Sequence, residues 1–184
     1  MSANKKYLRL AASVMLLLLL ASCMMASSPT VEKEPINLKL TLTKTKVHSL
    51  EDLNIQLNLS NQSNTSLLVQ KDLIWRPEAP VGMFAITIVI LDSSGNSIEP
   101  FGTFVNAHPQ GEDTLIVLES GKQLTTIKQL EEGYHASDFK KGEIYTIFAI
   151  YQNNISVTKT IDGVDVLSWI GSIRSNEETF TILP

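Results

Sequence analysis

The chain of 184 residues has a single cysteine, Cys23, so no disulfide forms within it and any core is held by burial alone. Positive charge is also scarce: 15 Lys and Arg stand against 19 Asp and Glu, with no basic cluster of the kind that grips phosphates. That balance argues against nucleic acid or an anionic lipid surface as the main partner. Long apolar runs are limited to Leu10–Ala21. This run is too short for a comfortable span, since crossing the hydrocarbon core takes about 20 residues.

Motifs that carry chemistry are missing in the same way. The sequence has no G-x-S-x-G elbow, no S-x-x-K run and no glycine-rich phosphate loop, which leaves nucleophilic serine chemistry and nucleotide binding without a scaffold. His48, His108 and His135 are far apart, with no H-x-H or H-E-x-x-H spacing and no cysteine partner, so they read as loop histidines and not as metal ligands. The carboxylate pairs Glu131-Glu132 and Glu177-Glu178 are adjacent in sequence; neighbours on a strand point to opposite faces and cannot share a proton. The expectation is a protein with no cofactor, no metal and no enzymatic activity.

What the chain does have begins at its N-terminus. Lys5, Lys6 and Arg9 form a basic segment, five leucines end at Leu20, and the small residues Ala21 and Ser22 lead into Cys23, the order of a cleaved export signal. Leu20-Ala21-Ser22-Cys23 resembles the lipobox of bacterial lipoproteins. The resemblance implies lipid attachment at Cys23, removal of residues 1–22, and two or three acyl chains, enough for stable anchoring. It also implies a place in the cell envelope. Met24, where aspartate is the usual inner-membrane retention signal, implies the outer membrane if the source has one.

Removing residues 1–22 takes away three basic residues and no acidic ones, leaving 12 against 19 and a formal charge of −7 over 162 residues. That length suits one domain. Residues 23–35 are small and polar and contain Pro29 and Pro35, as in a flexible tether, so the folded domain is expected over residues 36–184.

Within it the hydrophobic period is two. Ile36, Leu38, Leu40 and Leu42 alternate with polar residues, as do Leu53, Ile55, Leu57 and Leu59, the pattern of strands with one face in a core. Further strands are expected over Leu67–Trp75, Met83–Leu91, Thr114–Leu118, Lys122–Leu130, Glu143–Tyr151 and Glu177–Leu183. Asp92-Ser93-Ser94-Gly95-Asn96 is a hairpin turn by composition. Phe84–Leu91, apolar on both faces apart from Thr87, reads as a central strand. The fold class is therefore all-β, a sandwich.

Phe139–Ala149 resembles the L-x-P-G-T-x-Y-x-V-x-V run of immunoglobulin-like and fibronectin-III-like domains, in which the tyrosine hydroxyl bonds to backbone a few residues upstream. The resemblance implies that role for Tyr145, with Lys141 where the family has proline. Tyr145–Tyr151 followed by Trp169–Asn176 and a last strand is similar to a bacterial immunoglobulin-like pattern, Y-x-[VL]-x-A-x-Y then W-x-G-x-[LV]-x-S-N. Leu118-Glu119-Ser120-Gly121 resembles the corresponding part of the bacterial intracellular proteinase inhibitor domain. These motifs imply one immunoglobulin-like β-sandwich and specify no activity.

Two places are candidates for partner binding. Trp75 and Arg76 open a proline-bounded stretch that either presents the tryptophan as an anchor or buries it in the core. The segment from Phe101 to Asp113 carries Asn106 and His108 and reads either as a binding loop or as a crossover. Trp169 is expected to pack against the sandwich. The functional expectation is a lipid-anchored envelope protein that binds or assembles with another envelope protein. The alternative is a proteinase inhibitor acting through an exposed loop.

Overall fold

Two ladders of paired strands, joined by one apolar core, organise the residues described by the computed structural model, 34–71, 86–101 and 111–184. The first sheet contains β1 (Ile36–Leu42), β3 (Asn54–Asn61) and β7 (Gln123–Gln129), in the order β1-β3-β7 and antiparallel throughout. The period of two does what alternation dictates: Ile36, Leu38, Leu40 and Leu42 are buried and the residues between them are exposed. Ile36 pairs with Asn61 and Leu42 with Ile55, so the inward leucines of β1 and β3 meet on one face.

In the second sheet the centre is β8 (Ile144–Asn153). One side of β8 carries β5 (Ile86–Leu91); the other carries β11 (Gly171–Arg174) and then β12 (Glu178–Ile182). The two-residue strand β2 (Lys46–Val47) runs parallel to the end of β12. Inward residues of both sheets, among them Leu40, Leu57, Ile88, Ile147, Tyr151 and Phe180, form one buried cluster. With 29 buried apolar residues among those described, burial replaces the missing disulfides. At about 25 cal/mol per Å² of apolar surface, this is the dominant stabilising term.

A third layer sits at one end. β4 (Leu67–Gln70) pairs antiparallel with β6 (Leu115–Leu118). Val69 of β4 joins the main core, whereas Leu68 turns the other way and packs with Leu115 and Val166 in a second small cluster. Val166 belongs to a hairpin, β9 (Thr158–Ile161) and β10 (Val164–Leu167). Its two-residue turn has Asp162 at φ 51° and Gly163 at φ 79°, the positive-φ pair that a tight hairpin requires.

The all-β expectation holds over the described residues, where the only helical pieces are short 3₁₀ turns, and no helix among them is long and apolar enough to cross a membrane. The expected hairpin at Asp92–Asn96 is present: Leu91 bridges Ser97, and Asp92 Oδ1 accepts from the backbone of Ser94 and Asn96. The central placement expected for residues 84–91 falls partly outside the described residues. Among the described residues β5 is laddered to β8 alone, and its other side is met by Ile98 N–H, which donates to Ile90 O at 2.8 Å, and by the Tyr134 hydroxyl, which donates to Ile88 O at 3.0 Å. Two isolated bonds thus occupy an edge that an apolar run cannot leave to water.

Candidate functional site

The expected site residues Cys23, Trp75, Arg76, Asn106 and His108 lie outside the described residues. Their anchor points, however, are described. Lys71, the last residue before segment 72–85, donates its N–H to Thr114 O at 2.7 Å, and Thr114 is tied to Gly111, the first residue after segment 102–110, by N–H to O at 3.1 Å. Ile86, the first residue after segment 72–85, pairs with Tyr151. Three of the four points at which the two candidate segments join the domain therefore gather at the Tyr151 end of β8. The fourth, Phe101, donates its N–H to Gly133 O and stacks its ring on His135 at 3.9 Å.

The floor of this end is a buried polar network. Asn153 continues the inward phase of Tyr145, Ile147, Ala149 and Tyr151 along β8 and is fully buried. Its Nδ2 donates to Trp169 O at 2.7 Å, while its Oδ1 accepts from Ile155 N–H and from Gln70 Nε2. Gln70 in turn donates its N–H to the Tyr151 hydroxyl at 3.0 Å and accepts from Thr114 Oγ1 through Oε1. No buried side-chain polar atom among the described residues lacks a partner, as a low-dielectric interior demands. Burial pushes the Tyr151 hydroxyl up to about 12, so the network is neutral at physiological pH. It is suited to holding the loop bases in register, not to moving protons.

The residues of the family-like motifs have structural tasks. Trp169 is buried and stacks on Tyr151 with ring centroids 5.5 Å apart. Gly171 lies beneath it at φ 149°, where a Cβ would stand 3.1 Å from the indole, so the W-x-G spacing is set by contact between ring and backbone. Ser175 Oγ accepts from Ala149 N–H at 2.9 Å. Asn176 closes the edge of β1 like a short strand, its Oδ1 accepting from Leu40 N–H at 2.9 Å and its Nδ2 donating to Leu40 O at 3.0 Å.

At the opposite end the Tyr145 hydroxyl accepts from Lys140 N–H at 2.6 Å, five residues upstream, and donates to Glu143 Oε2 at 3.1 Å. Ser93 Oγ donates to Glu143 Oε1 at 2.6 Å, and this bond holds the Glu143 carboxyl below the usual range. Burial raises the Tyr145 hydroxyl. Of the carboxylate pairs, Glu177 is bound to the Arg174 guanidinium, which lies 3.6 Å over the Phe148 ring, and Glu178 accepts from Asn176. Among the described residues no three His, Cys, Asp or Glu side chains converge as metal ligands do.

No known family model matches the chain, and no curated protein sequence is similar to it.

Proposed function

We propose that this protein is a lipid-anchored envelope module: an immunoglobulin-like β-sandwich, tethered through Cys23, that binds another envelope protein through loops at one end of its sheets. The observation that carries the binding reading is the convergence of Lys71, Ile86 and Gly111, the bases of both candidate segments, around Tyr151 and Gln70. Loops gathered on a rigid strand scaffold are the usual means by which a sandwich binds. The immunoglobulin-like reading is supported by the Tyr145 hydroxyl bonded to Lys140 backbone at the entry to β8, by the parallel pairing of β2 with β12, and by a core shared between the two sheets.

Anchoring supplies the mechanism. A domain held at a membrane meets partners in the same membrane at a high effective concentration, so modest affinity suffices. Purification of the lipidated protein after in-cell cross-linking, with Cys23→Ala as the control, tests this reading. One envelope protein enriched only with the lipidated form is the expected result. Enrichment of no partner overturns the binding reading, and stoichiometric inhibition of an envelope protease by the pure protein moves it to the inhibitor class.

A further inference from the structure

We propose that the end of the domain at which the tether arrives rests on the lipid surface, with Leu167 and Ile170 set into the boundary between headgroups and acyl chains. The inference rests on lipid attachment at Cys23, and it implies that a partner bound at the Tyr151 end of β8 is met at headgroup level.

The start of β1 can be placed from its neighbours. β1 lies beside β11, Asn176 holds Leu40, and further on Lys46 pairs in parallel with Thr181. The segment from β1 to β2 therefore runs alongside the segment from β11 to β12 in the same direction, which puts Ile36 back toward Gly171. A chain of bonds leads to the same place. Ile36 pairs with Asn61; Asn61 Nδ2 donates to Leu118 O at 2.9 Å; Leu118 pairs with Leu67; and the next residue, Leu68, accepts from Trp169 N–H at 3.0 Å through its carbonyl. The tether thus enters at the end of the molecule that carries the β9–β10 hairpin.

That hairpin has apolar residues where internal packing does not require them. Val166 is buried against Leu68 and Leu115. Leu167, on the opposite face of β10 from Val166, and Ile170, three residues further on, are 61 % and 52 % exposed. Ten residues separate Cys23 from Glu34. A chain segment of that length spans at most about 40 Å when fully extended, which keeps the hairpin within reach of the bilayer.

Charge selects the kind of contact. Lys159, the hairpin's one cation, donates Nζ to Glu112 O at 2.8 Å, and the hairpin also carries Asp162 and Asp165, the latter accepting from Thr160 Oγ1. Attraction to anionic lipid therefore supplies no drive. The contact is apolar, insensitive to salt and effective only with the tether in place.

The test uses the full lipidated protein in phosphatidylcholine vesicles that contain a spin-labelled lipid quencher. Lipidation consumes the Cys23 thiol, so Leu167→Cys, Ile170→Cys and Lys141→Cys each offer one free thiol for an environment-sensitive fluorophore. Lys141 is exposed at the far end, before β8. The expected result is quenching at 167 and 170 at least three-fold stronger than at 141, with a blue-shifted emission, unchanged in 1 M salt. Equal quenching at the three positions on a vesicle-bound protein overturns the proposal while leaving the anchor intact. An N-terminal peptide with no diacylglyceryl mass on Cys23 overturns the anchoring reading and the proposal with it.

Discussion

Asn176 shows how one side chain closes what a sheet leaves open. Its amide takes both the N–H and the C=O of Leu40, so the edge of β1 presents no free pair at that point to another chain. Asn176→Ala strands two half-buried backbone groups, a loss of about 1–3 kcal/mol. For a protein of this size that lowers Tm by about 2–4 °C per kcal/mol, measurable by calorimetry. Gly171→Ala is expected to be worse, because it meets the Trp169 indole at 3.1 Å and also forces a side chain into φ 149°. Strain of this kind costs about 1–3 kcal/mol before the clash is counted, and disturbed stacking of Trp169 on Tyr151 will appear in the near-ultraviolet circular dichroism. Tyr145→Phe removes only the acceptor for Lys140 N–H and the donor to Glu143, and is expected to cost about 1 kcal/mol with the near-ultraviolet signal of Trp169 unchanged.

The elements read best from sequence were those whose alternation is long. β1 and β3 occupy the expected residues because four successive inward positions leave one register that buries them all. β9, β10, β11 and β2 carry no long alternation that marks them as strands. They are four residues or fewer, β9 and β11 place no residue in the buried class, and their strand state is imposed by their neighbours, β12 for β2, β8 for β11 and β4 for the β9–β10 hairpin, not by local pattern. The polar floor of the loop end did carry a signal: Asn61 and Asn153 each fill the next inward slot after a run of buried residues, and a polar residue in an apolar phase announces a buried partner. The distant partners, Gln70 and Trp169 O for Asn153 and Leu118 O for Asn61, come from other elements and are not legible in local pattern. The β9–β10 hairpin is expected to be the least stable element, since only Leu68, Leu115 and Val166 are buried in the cluster beneath it. Leu68→Ala should therefore raise amide exchange over residues 155–168 far more than over β3 or β8, as local opening demands; a uniform rise would show that the small cluster and the main core unfold together.

For the whole molecule, the buried tyrosines are the groups through which alkaline pH acts on folding. Burial holds the Tyr151 hydroxyl up to about 12, against 10 for an ordinary tyrosine, and burial likewise raises Tyr134 and Tyr145. The unfolded chain loses these protons near pH 10 while the folded protein keeps them, so above that pH the folded state binds more protons and stability falls as pH rises. The contribution is fully present below pH 10 and is lost as pH climbs through 12; for Tyr151 it is on the order of 2–3 kcal/mol. Glu143 and Asp92 act in the opposite direction. Their folded carboxyls sit below the ordinary range because of bonds from Ser93 and from Asn96, so what they contribute is present above the ordinary carboxylate range and is lost as pH falls below it. Stability should therefore be flat across neutral pH, with a steep alkaline limb and a shallow acid one. Denaturant midpoints from about pH 2 to about pH 12 measure both. Tyr151→Phe should lower the plateau, because Gln70 N–H loses its acceptor, and should also make the alkaline limb less steep. An alkaline limb as steep in the variant as in the parent would mean that the Tyr151 proton does not govern it, and that Tyr134, whose hydroxyl holds Ile88 O behind β5, carries the alkaline transition.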